Sequence, residues 1–346
     1  MRDSQNTTVA EAPPPAPARL AYTRVNPLEH AEEIKQLFLA NERAEFPAFF
    51  DRTYADAVAD GATSWVGRDA RGAICAHIAQ FPRPFRLGTR VVRGSLLANL
   101  MVAKEHRTLW PALALVRQLV NDSRRSGSVD LLYGDPNDAA LAILRAAGFR
   151  SVGALQRFVL PLADRRRPVD LGIRLYHLFG RLRANTTALV ATARPASETP
   201  AGPASVRATD AGFLDPEPRP AVYRHRLAGY PSPSDSWYTF HLSSSSAAAV
   251  AAALVRGPVV CELRCERLTL VSSVLLVLGR ALREAGVQRL ELSVMGESRV
   301  AAEVRRAGFL PRQERIPVVA MPLTPPGTEA IESGAEWRLL PIDLDR

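Results

Sequence analysis

Lysine is nearly missing from this sequence: Lys35 and Lys104 are the only two among 44 basic residues, and all the others are arginine. With 35 acidic residues the formal charge is +9. A skew of this kind spread along the whole chain reflects composition more than a patch built for phosphate backbones, so no nucleic-acid partner is expected. Cysteine is scarce as well. Cys75, Cys261 and Cys265 cannot staple a 346-residue chain, and buried free thiols in a reducing compartment are expected. Cys261 and Cys265 lie in VVCELRCERLTL, which reads as a strand with no matching His or Cys pair, so no metal is expected. Long apolar runs are absent too: none approaches the roughly 20 residues of a membrane span. The first residues carry Asp3, Glu11 and a Pro/Ala cluster in place of an apolar signal core. A cytoplasmic location is the resulting expectation.

What is present is a chain about twice the length of a domain of roughly 150 residues, which predicts two domains. Residues 1–18 hold almost no large apolar side chains and read as a disordered leader. A strand at Leu20 to Val25 and helices over His30 to Phe46 and Phe50 to Asp60 follow from the periodicity. Strands come next at Ser64 to Arg68, Ile74 to Phe81 and Arg90 to Ala103, divided by breaks at Asp69 to Gly72 and Pro82 to Gly88. A helix from Pro111 to Arg125 ends at Gly127, and Val129 to Tyr133 is a short apolar strand. Asn137 or Asp138 caps another helix that Gly148 closes, ahead of a strand near Leu155 to Leu162.

The end of this pattern returns about 160 residues later. SGSVDLLYG, LRAAGF and a strand ending LPL have counterparts in EAGVQRLELSVMG, VRRAGF and a strand ending MPL. Gly127 answers to Gly286, Gly148 to Gly308 and Pro161 to Pro322, with offsets of 159, 160 and 161 that drift by single loop residues as in a duplicated fold. The expected organisation is a domain at 19–162, a basic helix and linker at 163–203, a second domain at 204–323 and a tail at 324–346. Within the connector, Leu171, Leu175, Leu178, Phe179 and Leu182 share one helical face opposite arginines. That face can pack between the domains or lie on a membrane surface through residues 171–183; packing is the expectation.

The segment from Ala98 to Phe149 resembles the core of the GNAT superfamily of acyl-CoA-dependent N-acyltransferases. The match is carried by Val102-Ala-Lys-Glu-His-Arg107-Thr-Leu-Trp110-Pro-Ala112, where the family has an Arg/Gln-x-x-Gly-x-Gly/Ala loop, and by Asn137, Ala140, Leu144, Gly148 and Phe149 at the family spacing. Trp110 replaces the loop's first glycine, and Leu144 replaces a tyrosine that in many members protonates the departing thiolate. The resemblance implies a mixed α/β fold of two tandem GNAT-like domains, each a mostly antiparallel sheet flanked by helices. It further implies acetyl-CoA or another acyl-CoA as substrate, held by Val102, Arg107, Trp110, Ala112, Leu113 and Asn137 around a helix N-terminus. The expected partner is a small-molecule amine.

For acid or base work the candidates are His77, Tyr133 and Asn99, with His106 or a water as substitutes. The second copy has Val304 at the tyrosine position and no glycine-rich turn, so it is expected to shape a cleft without catalysing. Tyr223-Arg-His-Arg226 and the segment from Trp337 to Asp345 resemble a group of tandem GNAT-like proteins associated with glycan and exopolysaccharide biosynthesis, which implies an amino sugar or another cell-envelope precursor as acceptor. Two alternatives stand beside this reading: a degenerate binding or scaffold protein, and an aminoacyl-tRNA-dependent transferase.

Overall fold

The computed structural model describes residues 20–162, 189–195, 213–216, 236–242, 250–265 and 267–339. The expected leader and the basic helix at 171–183 lie outside the described residues. The first half contains β1 (Ala21–Val25), α1 (Ala31–Ala40), α2 (Phe46–Ala59), β2 (Thr63–Arg68), β3 (Ile74–Pro82), β4 (Phe85–Leu87), β5 (Arg90–Val92), β6 (Gly94–Val102), α3 (Leu109–Ser126), β7 (Leu131–Gly134), α4 (Asp138–Ala146) and β8 (Arg150–Pro161). The second contains β9 (Leu189–Pro195), β10 (Phe213–Pro216), β11 (Ser236–Leu242), β12 (Ala251–Arg256), β13 (Val259–Cys265), α5 (Val271–Glu284), β14 (Arg289–Met295), α6 (Arg299–Arg306), β15 (Leu310–Pro322), α7 (Pro325–Glu332) and β16 (Glu336–Trp337).

Local signals account for most of these elements. Gly127 and Gly148 terminate α3 and α4 at φ 60° and 100°, and their counterparts Gly286 and Gly308 sit at φ 84° and 91°, a region only glycine enters without strain. Asn137 caps α4 by accepting the Ala140 N–H, as Ser298 caps α6 by accepting the Ala301 N–H. Two expectations need correction. The helix read over His30 to Phe46 stops at Ala40, because Glu42 takes φ 65° and the chain turns back; Phe46, now opening α2, stacks on Phe38 with ring centroids 3.5 Å apart. The strand read over Arg90 to Ala103 is two strands, β5 and β6, and the supposed break at Pro82 to Gly88 contains β4.

Among the described residues, one twelve-stranded sheet runs through both halves in the order β1-β2-β3-β6-β7-β15-β8-β14-β13-β12-β11-β9. The order is a palindrome of corresponding strands with one exchange at its centre. β8 leaves its own half to pair with β14, and β15 reciprocates by pairing with β7, while β8 and β15 pair antiparallel with each other. The domains expected at 19–162 and 204–323 therefore do not each close their own sheet. Neither half completes its hydrogen-bond ladder without the last strand of the other.

The described part of the expected tail, 324–339, is likewise built in. α7 packs on β15, and β16 joins β10, β4 and β5 in a second, four-stranded sheet. Trp337 of β16 lies buried edge-on to Phe85, centroids 5.4 Å apart. The core divides by face. One cluster under α1, α2 and α7 includes Phe38, Phe46, Phe50, Tyr54 and Trp337, a second under α3 and α4 includes Leu115, Val116, Leu119 and Leu144, and a third fills the second half.

Candidate active site

All pairings of the large sheet are antiparallel except β6 with β7 and β13 with β14. The β6–β7 register covers only Gly94–Leu131, Ser95–Leu132 and Leu96–Tyr133. β7 ends at Gly134 while β6 runs on to Val102, so from Leu97 onward one edge of β6 has lost its strand partner and a wedge opens. Residues Ala98 to Met101 are only partly buried there. Backbone N–H and C=O groups along such an edge need partners, which makes it a place where a ligand can pair with main chain.

β6 is distorted where the wedge opens. Its register with β3 slips between His77 and Ala79, and Asn99 adopts φ 57°, a β-bulge that re-aims the main chain. Buried polar groups hold it from behind. The Asn99 amide donates to the Tyr54 hydroxyl at 3.0 Å, and the Asn99 carbonyl accepts from His77 Nδ1 at 2.9 Å. With its proton on Nδ1, His77 can use Nε2 only as an acceptor, and the Ser64 hydroxyl lies 3.0 Å from it. Burial disfavours the imidazolium more than the Asn99 carbonyl supports it, and the pKa falls to about 4. His77 is therefore a neutral strut with both nitrogens committed, which corrects its expected role as base or acid.

At the mouth of the wedge, the loop after β6 leads into α3. Thr108, at the N-cap position, makes no side-chain cap, and Leu109 and Trp110 stand 56% and 61% exposed. The first-turn N–H groups of Leu109 and Trp110, together with the helix dipole, favour an anion there, while Pro111 offers no donor. Arg107 reaches across to the turn between α1 and α2, donating from Nη2 to Asn41 Oδ1 at 2.7 Å, and Lys104 pairs with Glu42 at 2.5 Å. α3 itself is pinned to the sheet by Trp65 Nε1, which donates to Asp122 Oδ2 at 2.9 Å.

Other expected site residues are placed elsewhere. Ala112 is only 2% exposed and faces the core, because positions 112, 116 and 119 form the inward stripe of α3, and Leu113 beside it is buried as well. Val102 is buried in the same cluster, and Asn137 spends its side-chain oxygen on the α4 cap. Tyr133 is fully buried beneath Phe85 and Trp337, at centroid distances of 5.1 and 6.0 Å. Leu144 is core as well. Of the named residues, Asn99, Arg107 and Trp110 surround the wedge. Asn41, Tyr54 and Ser64, which the sequence reading missed, hold it in shape; each sits among other polar residues in the sequence, so nothing local marked them.

The second half repeats the wedge. β13 and β14 pair only at Val259–Glu291 and Val260–Leu292 before parting, and Val304 is buried where Leu144 is in the first half.

No family model and no curated protein matches the sequence. Solved structures do. A probable N-acyltransferase from Enterococcus faecalis V583 superposes with a TM-score of 0.62 at 10% identity, over 88% of this chain and 73% of that one. A GCN5-related N-acetyltransferase from Anabaena variabilis gives 0.61 at 10% identity over the same shares. A tandem GNAT protein from the clavulanic acid biosynthesis pathway gives 0.50 at 15% identity, over 89% of this chain and 99% of that one. The class defined is a tandem GNAT fold, a mixed α/β architecture with a large mixed sheet and flanking helices. At these identities the likeness establishes the fold.

Proposed function

We propose that the wedge between β6 and β7 binds an acyl-CoA and that the protein transfers the acyl group to the nitrogen of a small-molecule amine. The observation that carries this reading is the coincidence of the parted strands, the bulge at Asn99 and the open start of α3 at Leu109 and Trp110. In this arrangement the pyrophosphate lies over the α3 N-terminus, and the pantetheine arm pairs with the free edge of β6. The thioester carbonyl meets main-chain donors at the bulge, which stabilise its developing oxyanion. The amine attacks the carbonyl carbon, a C–N bond forms as the C–S bond breaks, and the amine's proton passes through solvent to the thiolate. With His77 neutral and enclosed and Leu144 unable to donate, catalysis rests on position and backbone electrostatics. An amino sugar or other cell-envelope precursor is the acceptor class we favour, from the sequence resemblance around Trp337.

A second reading, a scaffold that has lost catalysis, is favoured by the burial of Leu144 and Tyr133 and by the bulk of Trp110. The aminoacyl-tRNA-dependent alternative gains no observation from the described residues. Calorimetry with acetyl-CoA and longer acyl-CoAs, followed by thiol release in the presence of glucosamine and other amines, tests the proposal. Wild type is expected to bind, and Leu109→Glu, at an exposed position, to weaken binding at least about tenfold through like-charge repulsion and lost dipole complementarity. If wild type gives no heat and Trp110→Gly creates it, the scaffold reading replaces the enzyme; if neither binds, the acyl-CoA reading fails.

A further inference from the structure

Two turns from different parts of the first half meet beside the wedge. Asp69 begins the turn from β2 to β3; its Oδ1 accepts the N–H groups of Arg71 and Ala73, both at 2.9 Å, so this carboxylate is oriented by main chain and its second oxygen is not used by the turn. Cys75 lies near the start of β3 and is buried. Its carbonyl accepts the Ala103 N–H at 2.8 Å, which joins the start of β3 to the end of β6. The 3-10 turn Lys104–His106 follows directly, held by the His106 N–H on the Ala103 carbonyl at 2.9 Å. One ligand atom from each of Asp69, Cys75 and His106 lies within 4.8 Å of the other two.

We propose that Asp69, Cys75 and His106 form a binding site for a divalent transition metal, with zinc the best match. The donor set is one carboxylate oxygen, one sulfur and one imidazole nitrogen. Calcium and magnesium take oxygen shells, and copper(I) prefers more sulfur, whereas this mixed set is at home around zinc. Zinc bonds of about 2.0–2.3 Å place tetrahedral ligands roughly 3.3–3.8 Å apart, so the cluster must contract by about 1 Å. Asp69 and His106 are half-buried and can rotate inward, while buried Cys75 supplies the fixed point. Three protein ligands leave a fourth position to water, and Glu105, exposed and one residue before His106, acts electrostatically on the Cys75 thiol. Binding replaces the thiol proton, which is released to solvent, so the metal–sulfur bond forms without oxidant or reductant. The ion would fasten the loop that enters α3 to the β2–β3 hairpin. The inference rests on these three side chains alone and does not depend on acyl-CoA binding.

Cobalt(II) titration of the chelator-treated full chain is the test. One equivalent is expected to bind with a thiolate-to-cobalt charge-transfer band, displaced by zinc. Cys75→Ser should remove the band, and Cys261→Ser/Cys265→Ser should keep it. His106→Gln and Asp69→Asn change partly exposed side chains, and the asparagine still accepts the turn's N–H groups; each should weaken cobalt binding at least about tenfold. If Cys75→Ser does not fold, these two variants carry the decision. The proposal is overturned if wild type shows no charge-transfer band, if the band survives in folded Cys75→Ser, or if His106→Gln or Asp69→Asn binds as tightly as wild type.

Discussion

The hydroxyl of Thr324 donates to the carboxylate of Asp130 across 2.7 Å, joining two residues 194 positions apart at the point where β15 leaves the first half. The same carboxylate accepts the Arg93 backbone N–H and two bonds from its guanidinium, at 2.7–2.9 Å, and the Asp130 carbonyl accepts the Leu323 N–H at 2.9 Å. One buried aspartate thus locks the end of the exchanged strand.

Asp130 sets a pH dependence. Burial works against its charge, but the hydrogen bonds from Arg93 and Thr324 prevail and the pKa drops to about 2. A carboxyl with a folded pKa below its unfolded value stabilises the protein above pH 4 and loses that contribution as pH falls toward 2. Allowing for solvent screening of half-exposed Arg93, the contribution is about 1–2 kcal/mol. Asp130→Asn should lower the urea midpoint at pH 7 and show a flatter acid limb; an unchanged acid profile would refute the assignment.

Gly327 lies in the first turn of α7 against the backbone of Asp130, and a Cβ there would overlap the Asp130 carbonyl oxygen. Gly327→Ala should cost about 3 kcal/mol, at the upper end of overpacking, since main chain must move to admit the methyl group. Thermal unfolding reads the loss, and an unchanged Tm would show that α7 does not dock against Asp130.

His77 gives a second pH dependence of the same sign. Its folded pKa of about 4 lies below the ordinary 6.5, so the unfolded state takes up a proton first. Stability is complete above pH 6.5 and falls by up to roughly 3 kcal/mol on the way to pH 4. His77→Gln should flatten this decline. Its imidazole carbon-bound protons should show no titration by NMR down to pH 5, and a midpoint near 6.5 would return His77 to the list of bases.

Ala112→Glu and Leu109→Glu should part company, although they lie three residues apart on α3. The first forces a carboxylate into the core beside Val116 and Leu119 and should cost roughly 3 kcal/mol or more. The second is at an exposed position and should leave Tm within about 1 kcal/mol equivalent while acting on ligand binding. Equal melting temperatures would mean that α3 is rotated from the orientation described.

A fragment ending at Leu162 should not yield a stable monomer. It would keep β7 without β15 and β8 without either of its neighbours, exposing strand edges and apolar faces. Size exclusion is expected to show association or aggregation; a monodisperse folded monomer would argue that the exchange is dispensable.

Element types, helix ends and the duplication were legible in the chain because they depend on local physics. A glycine that must take positive φ, as at Gly127, Gly148, Gly286 and Gly308, or an asparagine that caps the N–H three residues on, acts within one turn of its own position. The site was legible only in part. The stretch from Val102 to Ala112 marked the loop, but helical phase in the folded sheet turned Ala112 inward and left Leu109 and Trp110 outside. Tyr133 looked available on a short strand until Phe85 and Trp337, 48 and 204 residues away, closed over it. The exchange of β8 and β15 had no sequence signal, because an apolar strand pairs equally well with any edge of matching length. Which edge it meets is decided by where the remaining elements leave one open, and here each half leaves β7 or β14 for the last strand of the other.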